Sequence, residues 1–162
     1  MQVKMRTIAS AASLFLTVSL HAQNPPNRGA QPRAEDSEVR PPVTKADEQI
    51  VEHAQKILDS PAKWNRADTR ICPADAKTFS LYCALEKATY EVTRKFEHRG
   101  AAMQEARFVI EEVDPNWRSY HHRLKDYNND PATTFADIQK VFRLLQNRIQ
   151  QRLAQEAASP KP

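Results

Sequence analysis

The sequence predicts an all-α protein, a compact bundle of about five helices behind an N-terminal signal peptide and a proline-rich linker. Three observations lead there. From Thr44 to Glu156 the apolar residues recur every three or four positions, and no stretch alternates convincingly at period two. The 162 residues include only two glycines, Gly29 and Gly100, too few for the many tight turns of a β-sandwich or barrel. Helix-length blocks are separated by proline and Asx clusters, which is where helices stop.

Residues 1–22 have the organisation of a secretory signal: Lys4 and Arg6 without an acid, then an uncharged run from Ile8 to Leu20, then the small Ala22 as a cleavage position. The run is shorter than the roughly 20 apolar residues a membrane anchor needs. Cleavage would remove two bases and no acid, leaving 22 basic against 20 acidic residues. So small an excess argues against a nucleic-acid partner. Residues 23–43 hold five of the eleven prolines and almost no large apolar side chains. Such a segment cannot bury enough surface to offset its ordering entropy, and a disordered, semi-stiff spacer is expected. Residues 44–156 are the expected helical domain, and 157–162 a flexible tail.

Within the domain, Thr44 and Asp47 resemble a capping box opening a first helix, with Ile50, Val51, Ala54, Ile57 and Leu58 on its apolar side. Asp59, Ser60 and Pro61 end it, and a loop carrying Trp64 and Cys72 follows. Leu81, Leu85, Ala88, Val92 and Phe96 form the stripe of a second helix, with Gly100 placed to end it in the left-handed conformation. Met103, Ala106, Ile110 and Val113 mark a third. Asp114 followed by Pro115 reads as the start of a fourth, lined by Trp117, Tyr120, Leu124 and Tyr127. Asn128, Asn129, Asp130 and Pro131 break it. Thr134 then caps a fifth and longest helix, whose stripe is Phe135, Ile138, Phe142, Leu145 and Ile149.

The chemistry these residues permit is narrow. Walker and dinucleotide fingerprints need more glycines than the chain has, and two cysteines cannot make a four-thiolate zinc site. In an exported protein such a pair is expected to form a disulfide. Were one helix to run from Pro73 through Cys83, Cys72 and Cys83 would stand about 16 Å apart. A bridge needs Cα atoms within about 7 Å. The bridge therefore requires the helix to begin near Thr78 or Ser80, both acceptable caps.

The alternative makes Cys83 a nucleophile, since a helix N-terminus favours thiolate. His121 or His122 with Asp130 would then complete the papain-like order Cys, His, Asn/Asp. The glycine and tryptophan that flank the cysteine in those hydrolases are missing here, and order alone does not make a triad. His122, Asp126 and Asp130 also invite a metal reading. Adjacent histidines diverge by about 100° on a helix, however, and no metal or other cofactor is expected. His53 and His98 read as isolated. The Asn128–Pro131 stretch is expected to be a turn satisfying its own backbone, with Asn129 and Asp130 kept as binding candidates. Trp64 and Trp117 are expected core anchors, the alternative being stacking platforms for an envelope polymer. Lys140, Arg143, Arg148 and Arg152 are expected on a solvated face, and Glu111 and Glu112, being adjacent, splay apart.

Between Ile50 and Ile149 the chain resembles a family of small bacterial proteins known only as a domain of unknown function. The resemblance rests on Trp64 after the first helix, on Cys83-Ala84-Leu85 at a helix start, and on Asn129-Asp130 before the threonine-capped helix of Thr134, Phe135 and Ile138. The glycine the family usually carries just after the cysteine is replaced here by Glu86 and Lys87. The resemblance implies an α-rich fold and no activity. The function expected is that of a secreted or periplasmic, non-catalytic binding or structural module whose partner is an envelope protein or polymer. The mature chain should have no membrane span.

Overall fold

A capping pair opens the first helix as the sequence suggests. The Thr44 backbone N–H and hydroxyl both donate to Asp47 Oδ2, at 2.9 and 2.7 Å. The other Asp47 oxygen accepts from the Ala102 N–H at 3.0 Å, so one buried carboxylate fixes the starts of two helices. The computed structural model describes residues 40–158. The expected signal peptide, residues 23–39 of the linker and residues 159–162 of the tail lie outside them.

Among the described residues there are five α-helices: α1 (Lys45–Ile57), α2 (Leu81–Thr93), α3 (Ala101–Val113), α4 (Arg123–Asn129) and α5 (Phe135–Ala158). Short 3-10 turns occupy Pro61–Lys63 and Trp117–Ser119. Among the described residues there is no strand, only an isolated parallel bridge between Trp64 and Phe79. Helix α1 packs on α2, α3 and α5; α3 packs on α5 and α4; and α4 also meets α2. No described helix is long and apolar enough to cross a membrane.

The core is made of the expected stripes. Val51 and Ala54 from α1, its C-cap Leu58, Leu81 and Leu85 from α2, and Ile138, Phe142, Leu145 and Ile149 from α5 are fully buried. Helix α3 is central: every residue from Ala101 to Ile110 is buried, not only the predicted stripe. Its polar residues must then find partners inside the protein. Arg107 bonds to Gln104 and to the His98 carbonyl. His98 is thus partnered, not isolated, as is His53, whose Nε2 lies 2.6 Å from Glu91. Glu105, wholly buried, accepts from Arg152 at 2.6 Å and lies 3.8 Å from Arg40 and 3.9 Å from Arg148. The arginines expected on a solvated face are therefore divided. Arg148 and Arg152 turn inward, about four-fifths buried, because a buried carboxylate needs compensation. Lys140 and Arg143 stay exposed.

Arg152 also donates to the Pro41 carbonyl at 3.0 Å, and the Glu156 carboxylate accepts from the Val43 N–H at 3.2 Å. The Arg40 guanidinium lies 3.8 Å over the Phe108 ring. Residues 40–43 are in this way strapped across α3 and α5.

Two helix boundaries differ from expectation. Helix α2 stops at Thr93, short of Phe96, and Arg94 rather than Gly100 takes the left-handed conformation, with φ 62°. The Thr89 and Thr93 hydroxyls bond back to the Leu85 and Thr89 carbonyls, and Thr93 also bonds the Lys95 carbonyl, a side-chain competition that ends helices. Phe96 folds back edge-on to Tyr82 instead. Gly100 is the N-cap of α3, with an extended backbone.

Asp114 likewise ends α3 rather than opening a fourth helix. One of its carboxylate oxygens accepts from the Asn116 N–H at 2.8 Å and the other from the Tyr120 hydroxyl. These bonds hold residues 114–120 in a turn and delay α4 to Arg123.

Phe142 sits at 0% exposure in the middle of α5, so Phe142→Ala should destabilise the protein by about 3–5 kcal/mol in urea titration. A second expectation concerns acid. Hydrogen bonds from the Thr134 hydroxyl and N–H hold the Asp137 carboxyl below its ordinary 3.8. That contribution is complete above the ordinary value and lost as the pH falls through the lower folded one. Thermal melts should therefore show Asp137→Asn less stable than the parent at about pH 7, the gap closing towards about pH 2.

Candidate functional site

The long loop between α1 and α2 brings most of the chemically interesting residues to one end of the domain. It is fastened by backbone bonds from Asn65 N–H to the Phe79 carbonyl (2.9 Å) and from Phe79 N–H to the Lys63 carbonyl (2.7 Å). Ser80, its last residue, caps α2 by accepting from the Cys83 N–H at 3.1 Å. With the helix starting this late, residues 73–79 fold back and the two cysteines meet. Cys72 and Cys83 are disulfide-bonded, their Cα atoms 5.4 Å apart. Bonded sulfur is neither acid nor nucleophile.

The end of α4 binds this loop from the other side: Asn128 and Asn129, expected in a turn that satisfies its own backbone, are the last two residues of the helix and bond to other segments, and the chain turns only from Asp130. Asn128, with no exposure, uses its amide fully. Its Oδ1 accepts from the Trp64 indole N–H at 2.8 Å and from the Leu81 N–H at 3.0 Å. Its Nδ2 donates to the Asn65 carbonyl at 2.9 Å and to Asn129 Oδ1 at 3.1 Å. Asn129 pairs with the backbone of Asp68 in both directions, accepting from its N–H at 2.8 Å and donating to its carbonyl at 2.9 Å. The Asp130 carboxylate receives the Ala132 N–H at 2.8 Å, and its second oxygen lies 3.1 Å from the Tyr120 hydroxyl.

The Trp64 ring lies 6.1 Å from Phe135 and under Arg66. Trp117 is half-buried with Arg118 and Arg123 over it. The other predicted residues are placed as follows. Asp126 Oδ2 accepts the backbone N–H groups of both His121 and His122, so it caps the start of α4. The two histidines precede α4 instead of riding on a helix. The His122 ring nitrogens lie 3.2 and 3.3 Å from Arg70 Nη1. Glu111 pairs with Arg123 and Glu112 with Arg148. Among the described residues no group of three or more His, Cys, Asp or Glu side chains is arranged to hold a metal.

Burial, then bonds to Asp114 and Asp130, push the Tyr120 phenol well above its usual range, so it remains a hydrogen-bond donor. Asn128 was legible in the sequence only as part of a turn; a cross-chain role for an amide leaves no periodic signal.

A family model described as a family of unknown function, DUF6197, matches residues 42–148. The chain belongs to that family. No curated protein and no solved structure matches it. The DUF6197 match spans α1 to α4 and most of α5, and with them Trp64, both cysteines and the Asn128–Asp130 segment. It is a family of the kind the sequence resembles.

In this DUF6197 chain, Asn128→Ala would strand the Leu81 N–H and the Trp64 indole in a buried setting. Denaturant titration should show a loss of about 2–4 kcal/mol, a penalty of about 1–3 kcal/mol for each unsatisfied group being partly relieved by water. The indole proton resonance of Trp64 should move, and that of Trp117 should stay.

Proposed function

We propose that the chain is an exported helical module that works by binding or as a structural component, outside the cytoplasm, and does not turn over a substrate. One observation carries this reading: Cys83, the nucleophile a hydrolase would use, is bonded to Cys72. Disulfides persist where thiols are not kept reduced. Supporting it, Asn129 and Asp130 spend their side chains on the protein's own backbone and on Tyr120, an arrangement suited to rigidity. The partner is an envelope protein or polymer, reached once the signal of residues 1–22 has been removed.

Expression of the full chain in a bacterial host, followed by fractionation and non-reducing peptide mapping, tests the reading. The extracytoplasmic fraction should hold a product beginning at or near Gln23 in which Cys72 and Cys83 form one cross-linked peptide and resist iodoacetamide. Cytoplasmic material that keeps its leader and alkylates at Cys83 without prior reduction would overturn the proposal in favour of a thiol enzyme using His121 or His122.

A further inference from the structure

The Cys72–Cys83 bond lines a surface groove of about 420 Å³ together with Pro73, Phe79, Tyr90 and Phe96. Its two sulfurs are not equivalent. Cys83 is buried, 7% exposed, and is the third residue of α2, whose first turn carries no acid. Cys72 is half-buried in the loop. A thiolate leaving from Cys83 would sit at the positive end of a thirteen-residue helix, where negative charge on sulfur is favoured; of the charged groups on the same groove, Glu86 and Glu91 oppose it and Lys87 and Arg94 offset them, Lys87 being paired with Glu91. One leaving from Cys72 would have no such help. Exchange proceeds faster when the departing sulfur is the better-stabilised thiolate.

The bond also closes only a small part of the structure. Residues 64–68 are held by Asn128 and Asn129, and Phe79 and Leu81 by backbone and amide bonds. Between these anchors, Ile71 is 74% exposed and Arg70 has a left-handed backbone, φ 62°. Asp68 Oδ1 holds the Arg70 N–H at 2.6 Å, and the Arg70 guanidinium lies over Tyr82.

We propose that this bridge is a thiol-exchange site: a thiol or dithiol entering the groove attacks Cys72, expels Cys83, and frees the segment around residues 71–78 while the helical body stays folded. In the first step the incoming thiolate forms a bond to Cys72 Sγ and the Cys72–Cys83 bond breaks, its electron pair leaving on Cys83. In the second, another thiolate of the reductant attacks its own sulfur in the mixed disulfide and releases Cys72. The reductant ends as a disulfide, having given two electrons, and both cysteines end reduced. This inference concerns the chemistry of the bond and does not require the location proposed above.

The test uses the full chain with glutathione as monothiol and dithiothreitol as dithiol. Brief exposure to glutathione at acid-quenched time points should give a mixed disulfide mapped to Cys72, in excess of Cys83 by about tenfold. Dithiothreitol should open the bridge with the far-ultraviolet circular dichroism unchanged, while trypsin cleavage after Arg70 and Lys77 accelerates by about tenfold or more. In Cys72→Ser the lone Cys83 should alkylate with a pH midpoint below the ordinary thiol value of about 8.5, and lower than that of Cys72 in Cys83→Ser. A glutathione adduct on Cys83, a reversed order of midpoints, unchanged trypsin cleavage after reduction, or a bridge that opens only as the helices melt would each overturn the proposal. So would a Cys72→Ser chain that fails to fold, since the bond would then hold more than the loop.

Discussion

One amide side chain at the end of α4 fixes the geometry on which the rest of this end of the molecule depends. Asn128 presents an acceptor to the Trp64 indole and to the first N–H of α2, and a donor to the Asn65 carbonyl. The first N–H groups of any helix lack partners within it. Here one is satisfied from another helix, which also sets where α2 begins. Because α2 begins at Leu81, Cys83 falls in its first turn, and the returning chain can bring Cys72 alongside. Without that late start the sulfurs would be too far apart to join.

How much of this the sequence discloses depends on the kind of force involved. Helices driven by apolar periodicity were legible: the stripe from Ile138 to Ile149 is buried as spaced, and Thr44 and Thr134 mark helix starts through side-chain pairs three residues apart. Boundaries set by competing side-chain bonds were not. Gly100 suggested a helix end and Pro115 a helix start, both sound local preferences, yet threonine hydroxyls stop α2 six residues earlier and Asp114 turns the chain. Tertiary hydrogen bonding overrode propensity at both places. In the candidate site the cysteine pairing could be argued from spacing, and composition marked the end of α4 but placed the turn two residues too early, at Asn128 instead of Asp130. The partnership of Asn128 with Trp64 could not be argued, since a sequence separation of 64 leaves no pattern in the chain.

The charges teach a similar lesson. Glu105, Arg148 and Arg152 look like ordinary surface residues in sequence, and a helical wheel places basic side chains near the end of α5 where they complement its dipole. Their burial follows from α3 being enclosed on all sides, which converts an acid on its flank into an interior charge in need of cations. Three arginines from two separate parts of the chain supply them. This is a property of the assembled fold, decided by which helix ends up in the middle.

The strap of residues 40–43 sets a practical limit on how the domain can be trimmed. A clone designed from helical periodicity alone would start at Thr44. Such a fragment would forfeit the Val43 side chain from the core, the carbonyl that Arg152 grips, and one of the cations near Glu105. Its poor behaviour in the test tube would say little about the intact protein. Crystallisation or screening work is better served by an N-terminus placed ahead of Arg40.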